Sequence, residues 1–161
     1  MNRKSEKNIL RVLFVFGIFS FLNLIRKPPM KDWLIIFFLK SYISSILDTI
    51  VVRKGYVQYP VKLSKTFGIS FLFDYLLFPI ACIYYNQVTM NGKIKSIILK
   101  VLYFSVPMTL GELWLEKHTK IVKYKKGWNF FYTFSSLSGT FIFVRFIIQL
   151  IRLKSSKEKR S

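Results

Sequence analysis

Three carboxylates of this chain lie inside long apolar stretches: Asp48, Asp74 and Glu112. Asp74 is the plainest case, because residues 66–86 form an apolar segment and place it near the middle. A segment of that length can span a bilayer. A carboxylate in the hydrocarbon costs several kcal/mol or more unless it is neutral, hydrated or paired. The three acids are therefore the candidate intramembrane polar site.

Further polar side chains share helix faces with these acids. Lys40, Ser44 and Asp48 are four residues apart, and Thr109 stands three residues before Glu112. Such spacing places side chains on one face of a helix. In a spanning helix, a polar face is directed at protein or water rather than at lipid. The secondary members of the candidate site are Lys40, Ser44, Thr109, Glu116 and Arg145.

Five apolar segments must position these residues, and we expect each of them to form a helix. The segments are residues 9–25, 33–52, 66–86, 94–115 and 127–150. They predict an all-α, polytopic membrane bundle forming one integral membrane domain, followed by a basic, disordered tail at 152–161. Pro79 and Pro107 predict kinks in the third and fourth helices. The first helix is short, so an interfacial or re-entrant position is the alternative to a crossing.

Antiparallel neighbouring helices divide the buried charges into two layers. Asp48 and Glu112 lie about one turn, and Asp74 about two turns, from the side that carries the loops after the second and fourth helices. Lys40, Lys100 and Arg145 are predicted nearer the opposite side. Asp74 is then either protonated or neutralised by basic side chains from the loops. Three interpretations remain open: structural hydrogen bonding between helices, a pathway or binding site for a proton, a cation or an amine headgroup, and catalysis by the carboxylates.

Composition limits the functions that need to be considered. The 161 residues are 52% hydrophobic, with 26 Lys and Arg against 7 Asp and Glu, and the formal net charge is +19. Because the basic residues lie between apolar segments, anionic lipid headgroups are the expected partner and nucleic acid is not. One cysteine and one histidine cannot make an internal disulfide or a His/Cys metal site. We expect no cofactor, no metal and no separate soluble domain.

A set of short motifs also suggests a family. They are Arg26-Lys27-Pro28-Pro29-Met30-Lys31-Asp32-Trp33, Leu47-Asp48, Lys54-Gly55-Tyr56, Tyr59-Pro60, Phe73-Asp74-Tyr75-Leu76-Leu77-Phe78-Pro79, Tyr85-Asn86-Gln87-Val88-Thr89, Pro107-Met108-Thr109, Glu112-Leu113-Trp114 and Lys117-His118-Thr119-Lys120. With these motifs the chain resembles a family of small multi-pass membrane proteins from Gram-positive, endospore-forming bacteria. The resemblance covers residues 26–150. It implies a bacterial cytoplasmic membrane, and it brings no activity, cofactor or catalytic residue.

Three functions are compatible with this sequence. The first is a non-enzymatic membrane protein that acts as a partner or assembly component of another membrane protein. The second is a small ion-coupled transporter that uses the carboxylate layer. The third is a protein that binds lipid headgroups. With five crossings, about 13 Lys and Arg lie on the side of the N-terminus against about 10 opposite, which favours a cytoplasmic N-terminus; if the first helix does not cross, the count becomes roughly 9 against 14.

Overall fold

A computed structural model describes residues 3–61 and 69–158 of the chain. The elements follow in the order α1 (Arg3–Ile25), α2 (Met30–Arg53), β1 (Val57–Gln58), α3 (Ile69–Leu72), a π-helical turn (Phe73–Leu77), α4 (Phe78–Thr89), α5 (Ile94–His118), β2 (Lys123–Tyr124) and α6 (Phe130–Glu158). Helix α2 packs against α4, the π-helical turn and α6, and α5 packs against α6 and α4. The predicted all-α helical bundle is confirmed.

Four helices, α1, α2, α5 and α6, are long and apolar enough to cross a bilayer. The stretch from α3 through the π-helical turn to α4 supplies the fifth helical segment. Helix α1 runs from one end of the bundle to the other. Near its start, Glu6 accepts a 2.8 Å hydrogen bond from the Lys120 backbone in the loop after α5, and near its end the Leu24 carbonyl accepts one from Gln87 on α4.

Polar and apolar side chains are distributed as in a membrane protein rather than a soluble one. Lys40, Asp74 and Arg145 are each at most 5% exposed. Large apolar side chains such as Phe38 and Leu99 are each 65% exposed. Buried polar groups need partners inside the protein, whereas outward apolar groups are stable against lipid. The bundle is therefore membrane-embedded.

The π-helical turn lies where proline was expected to disturb the third predicted helix. The Phe78 N–H donates to the Phe73 carbonyl, five residues back. Pro79 has no N–H, and its ring crowds the carbonyl four residues earlier. A turn that takes one extra residue relieves that conflict, and such turns are frequent at functional sites. Pro107, by contrast, lies inside α5 without interrupting it.

Several helix boundaries differ from the sequence prediction. Helix α1 begins at Arg3 rather than at residue 9, because Glu6 has a partner in the loop after α5. Helix α2 begins three residues earlier than predicted, at Met30, and α5 ends three residues later, at His118. Helix α4 continues to Thr89. The start predicted at residue 66 lies outside the described residues.

The prediction of a disordered tail at 152–161 is wrong for residues 152–158, which continue helix α6 to Glu158. Residues 159–161 lie outside the described residues. The extra turns have a tertiary contact, since the Arg152 Nε donates a 2.5 Å hydrogen bond to Asp32 at the start of α2. Helix α6 also begins later than residue 127: the Asn129 side chain accepts from the Phe131 N–H, which satisfies one of the free donors of the first turn.

The loops after α2 and α5 are joined by a short antiparallel pair of strands that the sequence did not indicate. Val57 pairs with Tyr124, and Gln58 pairs with Lys123. A further backbone hydrogen bond of 2.7 Å runs from the Lys125 N–H to the Tyr56 carbonyl. The two strands therefore form a roof over one end of the bundle.

Candidate functional site

One cavity of about 470 Å³ contains all three predicted intramembrane carboxylates. It lies among α1, α2, the π-helical turn, α4, α5 and α6, and it reaches the β pair. Asp48, Asp74 and Glu112 contribute the acidic groups. Most of the remaining wall is apolar and is formed by Ile9, Leu13, Leu47, Val51, Val57, Phe73, Leu77, Phe78, Ala81, Met108, Leu115, Val122, Trp128 and Leu137. The volume lies within the range of small-molecule sites.

Asp74 lies on the π-helical turn and is only 5% exposed. Its titratable neighbours come from two other helices: Asp48 and Lys40 from α2, and Glu112 from α5. Because Asp74 is part of the π-helical turn, the extra residue of that turn sets the direction in which its side chain leaves the helix.

Two tyrosines from the loops contact the other two carboxylates. The Tyr59 hydroxyl donates a 2.7 Å hydrogen bond to Asp48, and the Tyr124 hydroxyl donates one of 2.8 Å to Glu112. Tyr124 lies in β2, and Tyr59 follows β1 directly. Hydrogen bonds to an ionised acceptor are among the stronger ones in proteins. One sequence interpretation required side chains from the loops to contact the acids. Loop side chains do contact Asp48 and Glu112, but these side chains are tyrosines rather than lysine or arginine.

Both tyrosines hold their protons tightly because of where they lie. Burial, followed by the negative charge of Asp48 and the hydrogen bond to it, raises the pKa of Tyr59 well above its usual range. Burial, followed by the charge of Glu112, likewise raises the pKa of Tyr124. Both phenols are therefore donors at every ordinary pH.

Lys40 is not in a separate basic layer, and that part of the sequence prediction is wrong. Its side chain is 2% exposed and lines the same cavity as the acids. The ammonium donates a 2.5 Å hydrogen bond to the Thr140 hydroxyl and lies 5.3 Å from the centre of the Phe141 ring. Asp74 is its carboxylate neighbour. Lys40 therefore lies at the deep end of the acidic cavity.

The other secondary residues divide between this cavity and other places. Ser44 lines the cavity. Thr109 is buried and donates its hydroxyl to the Ser105 carbonyl, away from the acids. Glu116 is half-buried near Tyr124 and does not line the cavity. Arg145 donates to the carbonyls of Thr89 and Met90 at the end of α4. Only Lys40 and Ser44 join the three acids.

Sequence reasoning missed the two tyrosines and the roof that holds them. The usable signal was a pair of similar spacings, since each tyrosine follows its acid by 11 or 12 residues, and both loops lie on the same side of the bundle. Two-residue strands carry no hydrophobic alternation that would reveal their pairing.

The ionisable groups that line this cavity are of the kinds that bind cations or exchange protons. Among residues 3–61 and 69–158, three carboxylates and one ammonium line this largely apolar space, so that ammonium neutralises at most one of the acids. Uncompensated charge in such surroundings is costly, and a proton or a bound cation must balance the rest. Among the residues that the structure describes, no group of three His, Cys, Asp or Glu is arranged to hold a metal ion.

No protein-family model, curated protein or solved structure matches this chain.

Proposed function

We propose that this protein is a multi-pass membrane protein that binds a small organic cation in its intramembrane cavity. The observation that carries the proposal is the single cavity shared by Asp48, Asp74 and Glu112, with Lys40 as the only amine that lines it within residues 3–61 and 69–158. In this proposal the protein is non-enzymatic. Its ligand is a small molecule that enters the cavity. The sequence also allows a different role, in which the protein is a partner or assembly component of another membrane protein.

Charge supports a cation as the ligand. A positive group that approaches Asp74 and Glu112 supplies the counter-charge that one lysine cannot. An anion would meet three acids in a poorly solvated space, where repulsion is strong. A buried charge pair forms favourably only when its hydrogen bonds are also satisfied, and Tyr59 and Tyr124 already satisfy one lone pair on each of two acids.

The cavity wall supports an apolar group next to the positive charge. Leu13, Leu47, Met108 and Trp128 line the space around the acids. Ligand sites are commonly apolar with a few placed polar groups that set orientation. We therefore infer an ammonium that carries a short hydrocarbon portion, which is a chemistry shared by amphiphilic amines and amine-bearing lipid headgroups.

Calorimetry on the purified protein in neutral detergent tests this proposal with ligands of similar chain length. Butyltrimethylammonium should bind, whereas pentanol should bind weakly and pentanoate should not bind. Asp74→Asn should weaken cation binding about tenfold or more, because a hydrogen-bonded charge partner is lost. Glu116→Gln is the matched control, since it removes an acid that does not line the cavity. Equal binding of pentanol and the cation, or an unaffected Asp74→Asn variant, would refute the proposal.

Ion-coupled transport is a second candidate function, and the position of Asp74 favours it. A carboxylate on a π-helical turn, followed by Pro79 in the middle of a membrane segment, resembles the broken helices at which carriers bind their substrates. Proteoliposomes with an acidic interior should take up butyltrimethylammonium in exchange for protons that leave, and Asp74→Asn should abolish this uptake. If purified protein binds the cation but flux equals that of empty liposomes, the protein binds without transporting.

We further propose the bacterial cytoplasmic membrane as the location, with the N-terminus and the roof in the cytoplasm. The resemblance and the larger share of Lys and Arg at the roof end support this. Single cysteines can test it in a Cys82→Ser background. An impermeant maleimide applied to intact cells should label Lys93→Cys and leave Lys125→Cys unlabelled. The reverse labelling pattern would invert the orientation.

A further inference from the structure

We propose that the ligand enters the cavity laterally from the membrane, as a long-chain alkylammonium whose chain stays in the lipid while its ammonium lies among the acids. This inference rests on the proposed function and deepens it, because it names the class of cation and its route. It is carried by the place where the cavity opens, which is beside Gly111 and Trp114 on α5.

The exposed part of the cavity wall lies on one helix. Among the cavity-lining residues that the structure describes, Gly111 and Trp114 alone are exposed, and the others are buried or half-buried. The two residues share a face of α5 because they are three positions apart. A Cβ added to Gly111 would meet nothing within 4 Å, so there is free space at this position. The cavity therefore opens beside Gly111.

The packing of the helices leaves room for this opening. Helix α1 packs against α2, the π-helical turn and α4, whereas α5 packs against α4 and α6. Within the described residues, α1 and α5 have no comparable packing along their lengths, and the hydrogen bond from the Lys120 backbone to Glu6 joins them at the roof end. Both helices nevertheless line the cavity, α1 with Ile9 and Leu13 and α5 with Gly111. We call the space between these three residues the portal.

The portal leads to lipid rather than to water. Val12 on α1 is 68% exposed and Leu110 on α5 is 54% exposed, and both lie in helices long and apolar enough to cross a bilayer. Gly111 lies about 10 Å before the end of α5 at His118, at a rise of about 1.5 Å per residue. Trp114 lies nearer that end, toward the headgroup level at which tryptophan is enriched. A ligand in the portal is thus surrounded by hydrocarbon.

Apolar clusters of described residues close the two ends of the cavity. At the roof, Val57 and Val122 line the cavity and pack with Ile121, and all three are buried. At the deep end, the Lys40 ammonium lies against the ring of Phe141, which belongs to the buried core of the bundle. An ion from the aqueous phase would have to displace one of these closely packed clusters. A molecule dissolved in the membrane reaches the acids through the portal.

Charge and position identify this molecule as an alkylammonium. Glu112 follows Gly111 directly in α5 and lines the cavity inside the portal. An ammonium beside Glu112 supplies the counter-charge that Lys40 alone cannot, and a chain attached to it passes out beside Gly111 into hydrocarbon. Keeping that chain out of water is favourable in proportion to its apolar area. A fatty acid of the same length would instead bring a negative charge to three acids.

Photo-crosslinking of the full-length protein in maltoside micelles maps the route. The probe is dodecyltrimethylammonium with a diazirine in the middle of its chain, and butyltrimethylammonium is the competitor. Peptide mass spectrometry should locate the crosslinks on the portal segments of α1 and α5, and an excess of the competitor should remove them. Crosslinks that are spread over all outward helix faces and that the competitor does not reduce would overturn the inference.

Gly111→Leu places a side chain in the portal and provides a second test. It should weaken binding of dodecyltrimethylammonium about tenfold more than binding of butyltrimethylammonium, because leucine occupies the path of the long chain. Gly139→Leu is the matched control, since a Cβ there also meets nothing within 4 Å and Gly139 does not line the cavity. The control should leave the ratio of the two affinities unchanged. Partition of each cation into the detergent is the same for every variant, so it cancels in this comparison.

The outcomes separate this inference from the function on which it rests. If Gly111→Leu affects both cations equally, or affects neither, the portal is not the route of the chain and this inference alone is overturned. The same holds if the wild type binds butyltrimethylammonium but not dodecyltrimethylammonium. If the wild type binds no cation of either length, the proposed function is overturned as well.

Discussion

Tyr59 lies over the Asp48 carboxylate, with 2.7 Å between its hydroxyl oxygen and Oδ1, and so joins the loop after α2 to the acidic cavity. Replacement by phenylalanine removes this donor and keeps the ring. Because the folded protein raises the pKa of Tyr59 above that of an unfolded tyrosine, its stability contribution is complete below about pH 10 and falls as the pH rises toward the folded value.

Tyr59→Phe should therefore flatten the alkaline loss of stability. Thermal unfolding in detergent, followed between pH 8 and 11, measures this directly. The wild type should lose melting temperature above about pH 10, and the variant should lose less. Tyr42→Phe is the control, because Tyr42 is 68% exposed on the outer face of α2. Equal slopes for wild type and Tyr59→Phe would contradict this prediction.

Lys40→Met should strengthen cation binding. Methionine retains an unbranched side chain of similar length but removes the ammonium that competes for Asp74. We expect the affinity for butyltrimethylammonium to rise about tenfold, the size of effect that one nearby charge produces at moderate dielectric. The same calorimetry measures it. Lys100→Met is the matched control, since Lys100 donates to the Val88 carbonyl and does not line the cavity. A weaker affinity in Lys40→Met would show that Lys40 helps to hold the ligand.

Pro79→Ala should weaken binding although it leaves every carboxylate in place. Alanine restores an N–H that can bond four residues back, which removes the reason for the π-helical turn. When the π-helical turn becomes an α-helical one, it contains one residue fewer. The preceding segment then rotates by about 100°, which turns Asp74 away from the cavity. We expect binding to fall about tenfold or more while the protein stays folded, as with loss of Asp74 itself. Pro107→Ala is the control in an uninterrupted helix, and a similar loss there would contradict the explanation.

Gly17→Ala should destabilise the contact between α1 and the π-helical turn. A Cβ at this position would lie 2.5 Å from the Leu76 Cδ2 and 2.8 Å from its Cγ, so Leu76 would have to move. Overpacking of this kind costs about 1–3 kcal/mol. Gly139→Ala is the matched control on α6, because a Cβ there meets nothing within 4 Å. Melting temperatures in the same detergent compare the two, and an equal effect would argue against close packing at Gly17.

Periodicity and topology were sufficient to predict that the acids would meet. Ser44 and Asp48 share a face of α2 because they are four residues apart, and alternating helix directions place Glu112 at the same depth as Asp48. Helical rise alone places Lys40 nearer the opposite side, because it gives the depth of the Cα atom and not the direction of the long side chain. Its face, shared with Ser44, was the better guide to its environment.

The π-helical turn and the roof depend on information that local sequence does not contain. Pro79 indicates a disturbed helix, but it does not distinguish a kink from an inserted residue; that depends on how α1 and α2 pack around Asp74. The pairing of Val57 with Tyr124 joins residues far apart in the chain and gives the backbone groups of both short loops hydrogen-bond partners. Neither loop alone shows a strand pattern.

The β pair also determines how the acids can be uncovered. Tyr124 belongs to one strand, Tyr59 directly follows the other, and the strands are hydrogen-bonded to each other. A displacement that lifts one tyrosine pulls on the strand that carries the other. We therefore expect Asp48 and Glu112 to lose their tyrosine donors together rather than independently when the strands move.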